Sequence, residues 1–412
     1  MVALALPALA AAQEAGSETT LSAVKVSERV MGEKTEGSGS YTTGKTKTAT
    51  PLSLSPRDTP QSVSVMTQQR IEDQGLLNIT DVVNNVTGVS VNRKTLTTTL
   101  FTACLATAVH AEPLTLIFAG DIMLDDGPGR VVAAGGDPLA PFASILSAAD
   151  FRIGNLECAI ATGGEAQPSK IWSFRARPET VRILKGRFDA VSLANNHSGD
   201  YGQVAFVETT RHLDAAGIAR FGGGRDLAEA HRPLWIEKKG LKIAVVGYNE
   251  YKPRRFEAGT QTPGIAWSED EQVIADIRAA KAAGADHVIP FMHWGWEKNT
   301  QPDERQKTFA RRMIDEGASL VVGSHPHVTQ GADIYKGNPI VYSLGNFVFD
   351  GFDYENGRRG WLLRLQIDRE GVLHWETLAA HIDPDGTPYP MPGQATPCGS
   401  REDTAVAQCI NP

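Results

Sequence analysis

The chain has 412 residues, of which 41% are hydrophobic and 21% charged, and its formal net charge is −8. These proportions are typical of a soluble globular protein with enough apolar residues for a sizeable core, and the length predicts about two or three domains. The negative charge offers no basic surface, which excludes nucleic acid as a partner. It also opposes the binding of a polyanion, unless bound cations supply positive charge.

Two stretches of the N-terminal part have the character of export signals. Residues 1–12 are rich in Ala and Leu and end in small residues, so we interpret them as the remnant of a signal peptide. Residues 93–112 begin with Arg93 and Lys94, continue through a weakly apolar stretch, and offer a small-x-small cleavage pattern at Val109–Ala111. The alternative for this second stretch is a Thr/Ala-rich linker or a buried helix.

The segment between these stretches, residues 13–92, changes character along its length. Residues 13–60 are rich in Ser, Thr, Gly and Lys and are predicted to be mostly disordered, because they offer little apolar surface to bury. Residues 61–92 combine strand-like alternation with helical patterns. Three stretches of residues 13–92 resemble the start of the plug domain of TonB-dependent siderophore receptors, namely Thr50–Leu54, Asp58–Val65 and Asp81–Val89. We therefore predict a truncated, partly disordered α+β plug fragment, without the tilted strands that a receptor barrel requires.

Residues 113–384 alternate apolar strands with amphipathic helices, which predicts an α/β domain whose sheet is covered on both faces. The helices are predicted at Gln203–Ala216, Glu269–Ala283 and Asp303–Glu316. The strands are predicted at Leu114–Ala119, Phe151–Gly154, Asp189–Ala194, Lys242–Gly247, His287–Met292, Ser319–Gly323, Pro339–Leu344, Trp361–Ile367 and His374–Ala379. Residues 385–412 are set apart as a C-terminal tail, in which Cys398 and Cys409 either form a disulfide in an oxidising compartment or remain free thiols.

Side chains that can bind metals follow five of the predicted strands directly. In an open α/β sheet such groups meet at the carboxyl edge, so we expect them to converge. Each has an ordinary alternative when taken alone, such as a helix cap, a turn residue or a buried core histidine. The predicted ligands are Asp121, Glu157, Asn196, His293, His325 and His327.

Imidazoles, carboxylates and an amide oxygen together suit one or two divalent ions such as Mn, Fe or Zn. His197, beside Asn196, is placed to give a proton to a leaving group. Glu297 is predicted to orient His293 or to act as an acid or base, with a solvated surface carboxylate as the alternative. Further candidates line a substrate cleft or lie on the surface, namely Trp172, Phe174, Arg175, Arg254 and Arg255.

Six motifs in order along the chain resemble the CapA family. They are Gly120–Leu124, Asn155–Glu157, Ala194–His197, His293–Glu297, Gly323–Val328 and Ser343–Phe347. The resemblance implies a metallophosphoesterase-like four-layer α/β sandwich and a role in capsule or poly-γ-glutamate biosynthesis. It also implies that Glu157 stands where a bridging aspartate is usual and that His197 is the catalytic acid.

One position departs from the metallophosphoesterase pattern. Met123 occupies the place of the histidine in the first motif, and a thioether is a poor ligand for a hard or borderline ion. One metal site therefore loses an imidazole, which predicts one tightly and one weakly bound ion.

Two functions from different classes fit these motifs. The first is a metal-dependent hydrolase or transferase acting on an anionic polymer, such as poly-γ-glutamate, or on a capsule precursor. The second is a non-catalytic protein that binds the polymer through metal and works with the export machinery of the cell envelope. The export signals predict a periplasmic or cell-envelope location, and siderophore uptake through the plug fragment is the least favoured function.

Overall fold

A computed structural model describes residues 112–401 except Ser169 and Pro253, and leaves out the side chains of residues 392–395 and 397. The chain divides into two compact units, residues 1–105 and 106–412, and the described residues belong to the second. The predicted signal-peptide remnant, the plug fragment and residues 93–111 lie outside the described residues.

The described part contains helices and strands in alternation. The α-helices are α1 (Asp126–Ala133), α2 (Ala143–Ser147), α3 (Val181–Leu184), α4 (Gly202–Ala216), α5 (Leu227–Ala230), α6 (Asp270–Ala282) and α7 (Glu304–Asp315). Short 3-10 turns lie at Ala140–Phe142, Pro178–Thr180, Arg254–Phe256 and Glu355–Arg358. Among the described helices, none is long and apolar enough to cross a membrane.

The strands form two large sheets and two small ribbons. Their bounds are β1 (Leu114–Ile122), β2 (Phe151–Leu156), β3 (Ala159–Ile160), β4 (Arg175–Ala176), β5 (Ala190–Ser192), β6 (Ala219–Phe221), β7 (Gly223–Gly224), β8 (Leu234–Lys238), β9 (Leu241–Asn249), β10 (Gly264–Ile265), β11 (His287–His293), β12 (Val321–Ser324), β13 (Thr329–Tyr335), β14 (Asn338–Leu344), β15 (Asn346–Val348), β16 (Arg359–Asp368), β17 (Gly371–Ile382) and β18 (Pro388–Ser400).

Each large sheet combines parallel and antiparallel strands; sheet I is antiparallel only on its β16–β18 side, and sheet II is antiparallel at both edges. Sheet I has eight strands in the order β18-β17-β16-β1-β2-β5-β6, with β15 also paired to β1. Its strands β1, β2, β5 and β6 are parallel. Sheet II has six strands in the order β13-β14-β12-β11-β9-β8, of which β9, β11, β12 and β14 are parallel. Both sheets therefore present several carboxyl strand ends at one edge.

The two sheets pack face to face, and helices cover both outer faces. One apolar cluster joins inward-facing residues of both sheets, such as Phe118 of β1 and Phe291 of β11, whose rings meet edge to face at 5.8 Å. A second cluster lies between sheet I and α1–α4, and a third between sheet II and helices α6 and α7. The central strands are apolar along their whole length because both of their faces are buried. These four layers confirm the predicted α/β sandwich.

The predicted elements agree with the structure within a few residues, and the largest difference is at the C-terminal end. Helix α7 begins at a capping box in which Asp303 and Gln306 bond each other's backbone amides, as expected for an Asp before an amphipathic run. Residues 385–412 were set apart as a tail, but Pro388–Ser400 form β18, which pairs with β17. The folded domain therefore continues to Ser400. Cys398 in β18 is disulfide-bonded, whereas Cys409 lies outside the described residues, so that pairing stays a prediction.

Candidate metal centre

The structure brings all six predicted ligand side chains together where the carboxyl edges of the two sheets meet. Parallel strands deliver the residues at their ends to one edge of a sheet, and two sheets packed face to face bring two such edges together. Sheet I supplies Asp121 near the end of β1, Glu157 directly after β2, and Asn196 shortly after β5. Sheet II supplies His293 as the last residue of β11, and His325 and His327 just after β12.

The ligand atoms form two overlapping groups. Asp121, Glu157 and His293 make one group, and Glu157, His325 and His327 make the other, with all ligand atoms of a group within 4.8 Å of one another. Asn196 joins them, because its Oδ1 lies 2.6 Å from His293 Nε2. Glu157 belongs to both groups, which is the arrangement of a carboxylate shared between two ions.

Buried polar atoms without hydrogen-bond partners indicate whether these residues could hold a cation. Among the described residues, five buried side-chain atoms have no hydrogen-bond partner, and three of them belong to this site: Glu157 Oε1, Glu157 Oε2 and His325 Nε2. A buried carboxylate with neither oxygen satisfied is costly unless a positive charge compensates it. The donor set therefore fits a divalent ion held by carboxylate, imidazole and amide groups.

The two carboxylates differ in their surroundings. Burial raises the pKa of Asp121, but the hydrogen bond and charge of His327 outweigh this and leave the pKa below its ordinary value. Burial and the neighbouring charge of Asp121 raise the pKa of Glu157 well above its ordinary value. Glu157 Oε1 lies 3.4 Å from His293 Nε2 and 3.9 Å from His327 Nε2. The surroundings of Asp121 thus stabilise its ionised form, whereas the ionised form of Glu157 is destabilised unless a cation lies beside it.

The three imidazoles are buried, and two of them are held neutral. Burial lowers the pKa of His293 to about 3, and burial is also the main reason why the pKa of His325 is well below its ordinary value. Burial also lowers the pKa of His327, but Asp121 raises it more, so that it ends above the ordinary value. Neutral imidazoles are the form that binds metal.

The turn that carries His325 and His327 has an uncommon backbone. Both residues have positive φ, 99° and 57°, on either side of Pro326. Residues other than glycine seldom adopt this region, and such strain often marks functional sites. The turn is held by the His325 amide, which donates to Asp121 Oδ2 at 3.3 Å, and by the Lys298 amide, which donates to the Pro326 carbonyl at 2.8 Å.

Two asparagines orient the ligands, and sequence reasoning assigned them no role. Asn155 Nδ2 donates to Asp121 Oδ1 at 2.8 Å and lies 3.2 Å from His293 Nδ1. Asn346 Oδ1 lies 2.9 Å from His327 Nδ1. An amide oxygen only accepts, so Nδ1 of His327 carries the proton and Nε2 is left free to bind metal. Their motifs, Asn155–Glu157 and Ser343–Phe347, were recognised, but only the fold places these amides behind the ligands.

His197 is held by a buried carboxylate and an ammonium group. Asp200 Oδ2 lies 2.7 Å from His197 Nδ1, while His197 Nε2 lies 4.0 Å from Glu157 Oε1 and faces the ligands. Lys170 Nζ contacts Asp200 Oδ1, donates to the Asn196 carbonyl at 2.7 Å, and lies 3.1 Å from His197 Nδ1. The three-residue spacing could have indicated Asp200. Nothing in the sequence indicates Lys170, because it lies in a long loop.

Glu297 lies in a different place from the one predicted for an orienting partner of His293. His293 Nδ1 has Asn155 Nδ2 and Ser324 Oγ as neighbours, each at 3.2 Å. Glu297 instead is exposed, hydrogen-bonds Tyr251, and lines a cleft beside the ligands. It therefore borders the cleft and does not stand behind His293.

Among the other side chains predicted to line a cleft, the aromatic ones do so and two of the arginines do not. Trp172 and Phe174 line the cleft. Arg175 donates to the carbonyls of Gly163 and Gly164, and Arg254 pairs with Glu257 and Glu269. These two arginines are engaged away from the cleft. Met123 is buried, and its sulfur accepts from the Asp125 amide at 3.1 Å, so it takes the place of an imidazole without joining the ligands.

Comparison with known proteins decides the family. The model of the family described as "Bacterial capsule synthesis protein PGA_cap" matches residues 115–351. The chain belongs to the PGA_cap family. This PGA_cap protein is 32% identical over 285 residues to the PGA biosynthesis protein CapA of Bacillus subtilis (strain 168), covering 68% of this chain and 74% of that one. It is 31% identical over 299 residues to the capsule biosynthesis protein CapA of Bacillus anthracis, covering 68% and 70%. The CapA resemblance is confirmed.

The N-terminal resemblance is confirmed as well. The TonB-dependent receptor plug model matches residues 55–102, which reaches into the predicted linker. Over 73 residues the PGA_cap protein is 49% identical to the ferric-pyoverdine BN7/BN8 receptor of Pseudomonas putida, covering 18% of this chain and 9% of the receptor.

Solved structures give a weak likeness. The NAD nucleotidase of Haemophilus influenzae is 12% identical with a TM-score of 0.36, and the match covers 70% of this chain and 50% of that one. The sulfate thiohydrolase SoxB is 13% identical with a TM-score of 0.37, covering 68% and 57%. The chain thus spans about half the length of these solved chains.

Proposed function

We propose that this PGA_cap protein is a metal-dependent hydrolase or transferase that acts on an anionic polymer, such as poly-γ-glutamate, or on its precursor. The observation that carries the proposal is the shared carboxylate of Glu157, which is buried in both ligand groups with neither oxygen satisfied. The names of the relatives place them in poly-γ-glutamate and capsule biosynthesis. We extend that context to this chain.

Six side chains would hold the metal: Asp121, Glu157 and His293 on one side, His325 and His327 on the other, and Asn196 beside them. One or two Mn, Fe or Zn ions would polarise an acyl or phosphoryl oxygen and make a water more acidic. The side chains of this protein have separate tasks. Asn155 and Asn346 keep Asp121 and His327 in position, because their amides are hydrogen-bonded to Asp121 Oδ1 and to His327 Nδ1.

His197 is the group we assign to proton transfer. Asp200 accepts the proton of His197 Nδ1, so Nε2 is the atom that can take up or deliver a proton on the ligand side. The Phe174 ring lies 4.5 Å from the imidazole and limits its movement. A binding protein has no need of an oriented proton donor, which is the reason for preferring an enzyme to a polymer-binding protein.

Metal content and turnover test the proposal on the same samples of the full chain. We would measure bound transition metals by elemental mass spectrometry for the wild type, His325→Ala and Glu157→Gln. His212→Ala is the matched control, because it removes an imidazole outside the site. Expected are one or two bound ions in the wild type and control, with loss in both site variants. Metal-dependent cleavage of a phosphodiester or of poly-γ-glutamate, reduced in His197→Gln, would support the enzyme.

Two results would contradict the proposal in different ways. Metal bound without turnover of any polymer or precursor would favour the non-catalytic polymer-binding function. No metal after reconstitution with Mn, Fe and Zn would remove the metal centre itself.

We also propose that the domain works outside the cytoplasmic membrane, in the periplasm or cell envelope, beside the polymer export machinery. The export-signal patterns at residues 1–12 and 93–112 support this location. Fractionation of cells that produce the full chain would test it, and recovery of the protein with cytoplasmic markers alone would contradict it.

A further inference from the structure

A cleft opens beside the ligand side chains, and its wall is unusually aromatic. It has a volume of 220 Å³, and both His197 and His327 border it. The other side chains that face it include Trp172, Phe174, Phe349, Phe352 and Tyr354. The Phe349 and Phe352 rings lie 5.0 and 5.1 Å from the ring of His327. Whatever fills the cleft therefore lies against aromatic faces next to the metal centre.

Two tryptophans are exposed on the loops around this cleft. Trp172, in the cleft wall, is 70% exposed, and Trp296, which precedes Glu297 of the cleft wall, is 64% exposed. Exposed tryptophan is uncommon on a protein surface and is enriched where ligands bind. Among the described residues, the one other large aromatic side chain that is exposed is Tyr389, which lies on β18.

An unpartnered hydroxyl group belongs to the cleft wall. Five buried atoms lack hydrogen-bond partners among the described residues, and the two outside the metal centre are Tyr354 Oη and Ser173 Oγ. Tyr354 lines the cleft, whereas Ser173 does not. A phenol hydroxyl can both donate and accept, so a ligand with hydroxyl groups would satisfy that of Tyr354.

The charges on the wall disfavour an anionic ligand. Carboxylates of Asp126, Asp350, Asp353 and Glu297 line the cleft, whereas Lys298 is the one lysine or arginine among its lining residues. Arg130 lies 3.5 Å from Asp350 and offsets part of that charge. Lys298 Nζ lies 5.3 Å from the centre of the Tyr354 ring, so an ammonium group already occupies that face. The wall thus repels carboxylates, and its aromatic surface is partly closed to a second cation.

We propose that this cleft is a binding subsite for an uncharged sugar ring, carried by the molecule whose reacting group lies at the metal centre. A sugar presents apolar C–H faces to aromatic rings and hydroxyl donors to carboxylates, without adding charge. The inference rests on the proposed function for its reacting centre. It adds that the precursor or the acceptor, one of the molecules that would react there, carries a glycan unit in this cleft.

Binding of defined oligomers to the full chain tests the subsite. We would titrate the N-acetylglucosamine tetramer and cellotetraose against a γ-linked glutamate tetramer and a lysine tetramer, by calorimetry at one ionic strength. Titrations would be run with Mn-loaded and metal-depleted protein. Saturable binding of an uncharged tetramer is expected, weakened about tenfold in Trp172→Ala and largely retained in Trp172→Phe. Tyr389→Ala is the matched control and should bind like the wild type.

Several results would overturn the inference. They are absence of saturable binding by both uncharged tetramers, tighter binding of the glutamate or lysine tetramer by the metal-depleted protein, and an unchanged affinity in Trp172→Ala. Metal content of the same samples separates the two proposals. Metal retained without sugar binding sinks the subsite alone, whereas sugar bound by protein that takes up no metal sinks the metal centre and leaves the subsite standing.

Discussion

At the scale of single residues, the most informative side chain is Glu157, because no hydrogen-bond donor of the described residues stabilises its buried negative charge. Its neighbour Asp121 accepts hydrogen bonds from Asn155 and from the His325 amide. Glu157 has no such donor. The two carboxylates should therefore respond in opposite ways when they are replaced by amides in the metal-free protein.

We predict that Glu157→Gln abolishes tight metal binding but stabilises the metal-free protein. Burial raises the pKa of Glu157 in the folded state above its ordinary 4.5. Wild-type folding therefore loses free energy as the pH rises above that value, and the amide removes this loss. A gain of about 1–3 kcal/mol at pH 7 that disappears near pH 4 is expected from urea unfolding. Asp121→Asn, whose pKa is lowered, should instead destabilise, and a loss of stability in Glu157→Gln would contradict the account.

The affinity for metal should rise with pH through the neutral range and then level off. Burial holds His293 and His325 neutral well below neutral pH, so protons compete little there. Asp121 raises the pKa of His327 above 6.5, so one proton must leave this imidazole before it binds metal. Calorimetric Mn or Zn titrations in buffers of different ionisation enthalpy should report release of about one proton near pH 6.5. His327→Gln should bind more weakly and lose this dependence. Affinity independent of pH would contradict the assignment.

Lys170 is expected to position His197 without contacting any side-chain atom of the candidate ligands. We predict that Lys170→Met lowers turnover about 10–100-fold with little change in metal content, because it frees the Asn196–Asp200 turn. Lys170→Arg should recover part of kcat. Elemental analysis of the same samples provides the control, because it shows whether the variants keep their metal. Loss of metal in Lys170→Met would show a structural role instead.

At the scale of elements, the sequence predicted the helices and central strands well because their periodicity is strong. Apolar runs with no polar face marked strands such as β1 and β11, which lie between two covered faces. The convergence of the candidate ligands was predictable because each follows such a run. The contact of Lys170 with Asp200 and His197 was not, since it joins a loop to a turn. Strand β18 was missed because its residues include four prolines, which are untypical of a strand and tolerated at a sheet edge.

That edge strand gives a prediction about the extent of the domain. A chain that ends at residue 384 lacks β18, so β17 becomes an unpaired edge and the buried Trp375 loses its cover. We expect a lower Tm and a tendency to aggregate, because an open edge strand pairs with other chains. Thermal unfolding and light scattering would measure this. The control is a chain that ends at residue 401, which is also shortened at the C-terminus but keeps β18. If the two shortened chains have the same Tm and the same light scattering, a structural role for β18 is contradicted.

At the scale of the whole molecule, one chain combines a segment related to receptor plugs with a PGA_cap domain. The ligand residues, the cleft and all four layers lie within residues 112–401. The plug-like segment matches only 9% of the pyoverdine receptor. The chemistry we propose therefore belongs to the second unit alone.

We predict that residues 106–412 fold and bind metal without the N-terminal unit. The chain divides at Leu105 and Ala106, and the three apolar clusters that hold the layers draw all their described members from the second unit. The shortened chain should keep the Tm and the metal content of the full chain, as measured by calorimetry and elemental analysis. Residues 1–105 alone should bind no metal, and they provide the matched control. If removing them lowers the Tm or the metal content, the plug-like segment is part of the folded domain, and the assignment of function to the second unit alone is wrong.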